Sequence, residues 1–259
     1  AGVGFKVLDN LSIGANISYI YGDITHSVTT AFSNSSSFSS VRLDKISIND
    51  YKLDFGLQYS YKFNKKHVLN FGAVYSLGHS VNGKGYKYNQ KWLNGADYPS
   101  TQTGDTITNA FSLPHTFGAG LTYVYDNRLT IGADFTYQQW EDAKFYNEKS
   151  YFSNRTKIAA GAEFVPNPYS RNYLKRVRYR VGGYYSDPYT KVDGQDGTRE
   201  YGVSAGFGFP LFQSKSILNI SGQYVRVSPK VKGMLEENYL KINIGLTFNE
   251  RWFMKWKVD

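Results

Sequence analysis

The residues of this chain that are best suited to chemistry are charged and amide side chains at alternate positions of strand-like segments. Arg178 and Arg180 flank Tyr179, so both guanidinium groups leave the same face of an extended backbone. A guanidinium fork matches a carboxylate, so the two could hold an acidic headgroup. The alternatives are pairing with acidic side chains in a plugged interior and solvation in an open one. The other candidates for this polar face are Asp54, Gln58, Asp134 and Glu163.

Metal binding and nucleophilic catalysis have weaker support in the sequence. The four His residues, His26, His67, His79 and His115, lack metal-ligand spacing, and the chain has no Cys. Ser112 lies close to His115, but no orienting carboxylate or carboxamide stands out beside them. We therefore expect no metal, no cofactor and no enzymatic activity.

The net charge of +9 would suggest nucleic acid in a soluble protein, but the basic residues are spread over many segments instead of forming a stripe. Two basic groups, at 64–67 and 171–180, are adequately explained by anionic lipid headgroups. We expect membrane lipids as partners, and no nucleic acid.

The elements that carry the polar face are strands. From Tyr51 to Phe63, every second residue is apolar and mostly aromatic, and the residues between are polar or charged, apart from Gly56. A period of two indicates a strand with two unlike faces. Aromatics on one face and charges on the other, over about ten residues, are typical of a transmembrane β-barrel. A mean hydropathy of −0.46 agrees with this, because half of each barrel strand faces a polar interior.

Alternation of this kind predicts about eleven antiparallel strands, an all-β fold, with a barrel domain over 1–248 and a periplasmic tail over 249–259. Short turns alternate with long polar segments, which places the turns in the periplasm and the long segments outside. The expected turns are at 9–10, 64–66, 126–127 and 213–214, with a longer one that carries Pro166 and Pro168. The expected long loops are 23–44, 79–110, 141–156, 187–199 and 227–238.

The odd strand count needs an explanation. Bacterial barrels usually have an even count and begin in the periplasm, whereas this reading starts the first strand outside. An open edge in lipid leaves backbone groups without partners. Either an odd number of strands precedes Ala1, or the count is wrong by one.

One stretch of sequence resembles the FadL-type outer-membrane transporters. It runs from Leu113-Pro114-His115 through two alternating segments to Trp140 and Phe145. Two further matching pieces follow in order: Arg178–Tyr184 with Pro188 after it, and Tyr201–Phe209. The tail after Asn249 is similar to that of family members from Bacteroidetes-type bacteria. The resemblance implies a 14-stranded barrel in the bacterial outer membrane, of which this chain lacks the N-terminal hatch and the first strands.

The same resemblance implies passive uptake of hydrophobic small molecules such as long-chain fatty acids. The alternative is a plugged barrel that acts as an interaction scaffold or secretion-system partner for other outer-membrane proteins. Pro114 could mark an opening in the wall or only the ragged start of a strand. Glycines inside the strands could make room for a ligand or plug, or could simply relieve packing in the wall.

Overall fold

The computed structural model describes residues 1–34, 37–93, 101–146, 149, 151–192, 194–211, 216–230, 233 and 235–248. Eleven strands form one continuous antiparallel sheet, and two further strands extend it beside the third strand. Each strand of the continuous sheet pairs with the next one along it, as in an up-and-down barrel wall. The expected all-β, antiparallel barrel architecture with eleven strands is therefore confirmed.

The strands of the wall are β1 (Gly2–Leu8), β2 (Leu11–Thr30), β3 (Phe38–Lys62), β4 (His67–Ser76), β9 (Thr116–Tyr125), β10 (Leu129–Gln138), β11 (Arg155–Phe164), β12 (Arg178–Ser186), β15 (Thr198–Pro210), β16 (Ile217–Pro229) and β17 (Glu237–Thr247). The strands at one end of the wall are β5 (His79–Val81), β6 (Gly83–Leu93), β7 (Thr101–Thr108), β8 (Phe111–Leu113), β13 (Lys191–Val192) and β14 (Gln195–Asp196). Two short 3₁₀ turns, Trp140–Asp142 and Tyr173–Lys175, are the helical elements of the described residues. None of the described helices could cross a membrane.

The pairing register keeps the polar residues on one face from strand to strand. Gln58 pairs with Gly72, Gly72 with Gly120, and Gly120 with Asp134. Paired residues share a face, so Gln58 and Asp134 lie on the same side of the sheet. The apolar residues that alternate with the polar ones along β3 and β10 point to the opposite side, where Phe55 and Phe135 are 46% and 44% exposed. The two faces are therefore those that the alternation predicts.

Outward aromatic residues gather near both ends of the wall. At the end with the long connections, Tyr185 packs against Tyr201 with ring centroids 5.1 Å apart. At the other end, Tyr179 packs edge-on to Phe207 at 5.8 Å. Because amphipathic rings favour the boundary between membrane and water, these two belts mark the borders of the apolar band.

The short turns follow the expected turn chemistry. Asp126 and Asn127 have φ angles of 51° and 52°, which is the left-handed backbone that a tight hairpin turn requires and that Asp and Asn tolerate. Asn64 accepts hydrogen bonds at its side-chain oxygen from the backbone N–H groups of Lys66 and His67, at 2.9 and 3.0 Å. These turns join consecutive strands at the end opposite the long connections.

Two of the expected long loops are largely β structure, so the sequence interpretation was wrong there. Within 23–44, β2 and β3 pair continuously out to Thr30 and Ser40. Within 79–110, β6 pairs with the outer part of β3 and then with β7. These outer strands carry Ser, Thr, Lys and Asn on both faces, so they lack the alternation on which the prediction relied. The result is a four-stranded outer sheet, β2-β3-β6-β7.

One cluster of deeply buried residues lies at this outer sheet, and Val225 of the wall strand β16 is buried as completely. Ile46 and Ala110 are fully buried and Tyr146 is 6% exposed. Nearby, Trp140 packs against Phe152 and Tyr189 at 5.2 and 5.3 Å. A wall whose outer face meets lipid has little need of a central apolar core.

The edges of the described sheet are not joined to each other: β1 pairs with β2 only, and β17 with β16 only. Two expected features lie outside the described residues: the turn at 213–214 and the tail over 249–259. The domain division at 248 therefore stays a prediction.

Candidate functional site on the polar face

The best-defined polar cluster lies on the inward face, close to the end with the short turns. Glu163 stands near the end of β11, opposite Arg180 of β12. Its two carboxylate oxygens accept from Arg178 Nη1 at 3.0 Å and from Arg180 Nε at 2.6 Å. Arg180 Nη1 also donates to the side-chain oxygen of Asn219 at 2.7 Å. The cluster thus joins three strands through charge-assisted hydrogen bonds.

Two glycines of β15 make this arrangement possible. Arg178 and Arg180 pair with Gly208 and Gly206, so each arginine side chain lies over a position without a side chain. Arg180 therefore reaches across β15 to Asn219 of β16. A Cβ at Gly208 would lie 3.2 Å from the Cβ of Arg178 and 3.3 Å from the side-chain oxygen of Asn219. At Gly208, the missing side chain therefore leaves room for Arg178 and Asn219.

The network continues to the last strand. The side-chain nitrogen of Asn219 donates to the Thr247 hydroxyl at 3.2 Å. Arg178, Arg180 and Glu163 are 40%, 38% and 27% exposed, so water screens their attraction and the pairs alone add little stability. Two guanidinium groups against one carboxylate leave the cluster with a net positive charge, and Arg180 keeps N–H donors beyond the two that are used.

A concavity of about 330 Å³ adjoins Arg180 on this face. Hydroxyl and amide side chains from three strands, Ser204, Ser221, Gln223 and Asn243, line it with the guanidinium group. Such a lining offers both donors and acceptors around one cation. It can hold a carboxylate or another small polar headgroup.

A second concavity, of about 590 Å³, extends over β1, β2, β3, β4, β9 and β10. Gln58 and Asp134 both line it, together with a floor of glycines. A Cβ at Gly120 would fall 2.4 Å from the Asp134 carboxylate, so this glycine makes room for the acid. The structure thus brings Gln58 and Asp134 to one site, apart from the concavity at Arg180.

Asp54 lies farther out on the same face and has local partners. Its carboxylate accepts from the Ser76 hydroxyl at 2.5 Å and pairs with Lys52 Nζ at 2.6 Å. Pro114 is buried in the link between β8 and β9, where the Pro114–His115 peptide packs against Gly78. It therefore precedes a wall strand without belonging to one. Ligand contact by Asp54, Gln58, Pro114, Asp134, Glu163, Arg178 or Arg180 stays a prediction.

The Ser and His considered for catalysis have other partners. Ser112 shares a hydrogen bond with Ser80 at 3.2 Å, and His115 Nδ1 contacts the Tyr75 hydroxyl at 2.8 Å. Among the described residues, no group of three or more His, Cys, Asp or Glu is arranged to hold a metal ion.

The outer connections are tied together by Asp196. Its carboxylate accepts from the Ser153 hydroxyl at 2.5 Å and from Lys230 Nζ at 3.1 Å. These two bonds lower the pKa of Asp196 below its ordinary value, with the Ser153 hydrogen bond as the largest cause and the cations of Lys230 and Lys191 contributing as well. One acid thus holds three connections, β10–β11, β12–β15 and β16–β17.

Sequence reasoning placed Glu163, Arg178 and Arg180 on one face but missed Asn219, Gly206 and Gly208 as parts of their site. The alternation of β16 placed Asn219 on the polar face, which was the available signal. The sequence does not give the pairing register of β12, β15 and β16, so it could not show that Asn219 of β16 meets Arg180 of β12.

Eleven wall strands, a polar inner face and two aromatic belts define a transmembrane β-barrel protein of FadL-type fold. The solved structures that it resembles include a Pseudomonas aeruginosa FadL homologue, at 17% identity and a TM-score of 0.54 over 88% of this chain and 58% of that one. They also include the Ralstonia pickettii toluene transporter TbuX, at 13% identity and a TM-score of 0.57 over 96% of this chain and 66% of that one. The RagAB peptide importer matches at 11% identity and a TM-score of 0.55, over 95% of this chain and 33% of that one.

Sequence identities of 11–17% show a shared fold and nothing finer. At the level of the fold, these structures confirm the FadL-type resemblance. The chain spans between a third and two thirds of the length of these three structures. The comparison with curated proteins gives no match. The model of the BamG family matches residues 1–259, so this chain belongs to the BamG family.

Proposed function

We propose that this chain forms wall strands of an outer-membrane barrel through which hydrophobic small molecules pass without an energy source, and that it is not an enzyme. The apolar outer face between two aromatic belts supports the outer-membrane location. The observation that carries the transport proposal is the concavity at Arg180, where one cation stands among hydroxyl and amide groups. Two structural neighbours, TbuX and TodX, are toluene transporters by name, which supports the proposal at the level of fold.

Arg180 would act as a headgroup site for an amphipathic ligand such as a long-chain fatty acid. Glu163 fixes its Nε and Asn219 one of its Nη atoms, which leaves the other N–H groups to bind a carboxylate. The Glu163 charge also offsets part of the positive charge, so a bound anion is held by a moderate net attraction and can leave. Because the cluster lies near the periplasmic end, it suits a ligand that is leaving the barrel.

Binding of oleate by the full-length protein tests this role. Charged hydrogen bonds contribute about 1.5–3 kcal/mol, so Arg180→Ala is expected to weaken oleate binding roughly tenfold or more, and Arg178→Ala less. Toluene carries no charge and should bind both variants as it binds the unmodified protein. Lys52→Ala removes an inward cation at the far end of the wall and serves as the control. Equal oleate binding by Arg180→Ala would remove Arg180 from the mechanism.

An interaction scaffold is the second candidate, and the outer sheet favours it. The strands β2, β3, β6 and β7 continue well beyond the outer aromatic belt, which a pore for small molecules does not require. If the unmodified full-length protein binds neither oleate nor toluene but co-purifies with stable partners, the scaffold role replaces transport.

A further inference from the structure

The connection between β11 and β12 differs from the other described connections at its end of the barrel. The others are tight turns, whereas this one runs from Val165 to Val177. Both of its ends are anchored, because Val165 and Val177 are 6% and 1% exposed. The segment between them is long enough to present a surface of its own.

Hydrogen bonds from side chains and backbone fix the shape of this connection. The Asn167 side chain accepts from the Tyr169 N–H at 3.0 Å, and the Asn172 side chain accepts from the Leu174 N–H at 3.0 Å. The backbone N–H of Asn167 donates to the Lys175 carbonyl at 2.8 Å, which closes the loop. The Tyr173 hydroxyl donates to the Pro210 carbonyl at 3.1 Å and so ties the loop to β15. The backbone is therefore ordered before any partner arrives.

The exposed surface of this ordered loop combines aromatic, apolar and basic groups. Tyr169 is 93% exposed and Leu174 is 64% exposed, and Arg171 and Lys175 are also exposed. The sequence from 165 to 177 contains no acidic residue. The described connections at this end carry Lys65, Lys66, Arg128, Arg171, Lys175 and Arg176 against Asp9 and Asp126, so the described part of this rim is basic.

We propose that the connection 165–177 is a docking site for an acidic segment of a partner protein on the periplasmic side. Exposed Tyr and Arg on a fixed backbone are typical of residues that dominate binding at protein interfaces. A backbone that is already ordered lowers the entropic cost of forming a specific complex. Charge complementarity with the basic rim selects an acidic segment.

Anionic phospholipid headgroups would also be attracted to the basic residues, but they explain the connection less well. Attraction between basic side chains and an anionic membrane requires neither a fixed backbone nor an aromatic ring that projects from a loop. The ordered turns around Asn167 and Asn172, and the exposure of Tyr169, favour a protein surface as the partner.

Site-specific photocrosslinking in the outer membrane tests this inference on the full-length protein. The photoreactive residue p-benzoylphenylalanine replaces Tyr169 in one variant and Phe63 in the control, because Phe63 is 60% exposed beside a short turn at the same end. We expect a discrete protein adduct at position 169 and none at 63. Mass spectrometry of the adduct is expected to identify a cross-linked segment rich in Asp and Glu.

Charge reversal provides the second measurement. Arg171→Glu combined with Lys175→Glu is expected to reduce the adduct roughly tenfold, since like charges then face the acidic segment. Lys65→Glu combined with Lys66→Glu makes the same change on the β3–β4 turn, which the β9–β10 turn separates from this connection, and is expected to leave the adduct in place. Oleate uptake by the first variant should be unchanged, so loss of docking is distinguishable from loss of transport.

Several results would overturn the docking site. They are a lipid adduct alone at position 169, no discrete adduct, a cross-linked segment without acidic excess, and an adduct that is insensitive to charge reversal at 171 and 175. The periplasmic location rests on the proposed orientation of the barrel. Labelling of Tyr169→Cys by a membrane-impermeant maleimide in intact cells would contradict it.

Discussion

An arginine can cross a neighbouring strand when that strand offers no side chain at the crossing point. Arg180 does this over Gly206, and the Glu163 carboxylate behind it keeps the guanidinium group oriented toward Asn219. This gives a specific reason for one of the many strand glycines. Gly222 on β16 has open space around it instead, so the glycines of the wall do not share a single role.

Replacing Gly206 is therefore expected to be costly. A Cβ there would lie 2.8 Å from the Cβ of Ser221 and 3.1 Å from the Ile220 carbonyl oxygen, so β15 and β16 would have to shift. We expect Gly206→Ala to lower the free energy of unfolding by about 1–3 kcal/mol, in the range of overpacked sites. Urea unfolding in detergent measures this, with Gly222→Ala as the matched control. Similar unfolding midpoints for the two variants would contradict the crowding at Gly206.

At the scale of elements, the outer connections form a unit of their own. Asp196, in the β12–β15 connection, links the β10–β11 and β16–β17 connections, and aromatic contacts around Trp140 fill the space beside it. Ile46 of the outer sheet packs with Ala110 and Tyr146 in a buried cluster. Contacts between the connections keep them ordered, because the wall holds each connection only at its two ends.

The lowered pKa of Asp196 makes this unit sensitive to acid. A carboxyl whose pKa is lowered by folding stabilises the folded form fully above its ordinary pKa, here 3.8, and loses that contribution as the pH falls through the lowered value. We expect the near-ultraviolet circular dichroism of the aromatic cluster to weaken below about pH 4. Asp196→Asn should show a weakened signal already at neutral pH.

Asp142→Asn is the control for this effect, because Asp142 is 77% exposed and pairs only with Lys149 among the described residues. It should leave the neutral-pH signal unchanged. An acid transition that is identical in the unmodified protein and in Asp196→Asn would assign the effect to another group.

For the whole molecule, the division into an apolar outer face and a polar inner face determines which substitutions the barrel tolerates. From β3 through β4, β9 and β10 to β11, the register carries this division without a slip of one residue, which would exchange the two faces. The wall is held mainly by backbone pairing and by the match between its outer face and lipid.

Phe135→Arg tests the two faces directly. Phe135 is 44% exposed on the outer face of β10. An arginine on a lipid-facing barrel position costs about 2–4 kcal/mol near the bilayer midplane, so this variant should assemble poorly. Thr136→Arg places the same residue one position along, on the inner face, and should assemble normally. Heat-dependent migration on gels measures both, and equal assembly would contradict the assignment of the faces.

The sequence alone determined the wall strands, their faces and the short turns. These features depend on local backbone geometry: side chains alternate every two residues along a strand, and Asp126-Asn127 supplies a left-handed turn. Only the tertiary structure decided that Arg180 meets Asn219, because that contact spans a strand and depends on the register of both its neighbours. It also decided that β2 and β3 continue outward as a sheet, since strands that are polar on both faces carry no periodic signal and are recognised by their hydrogen-bonded partners.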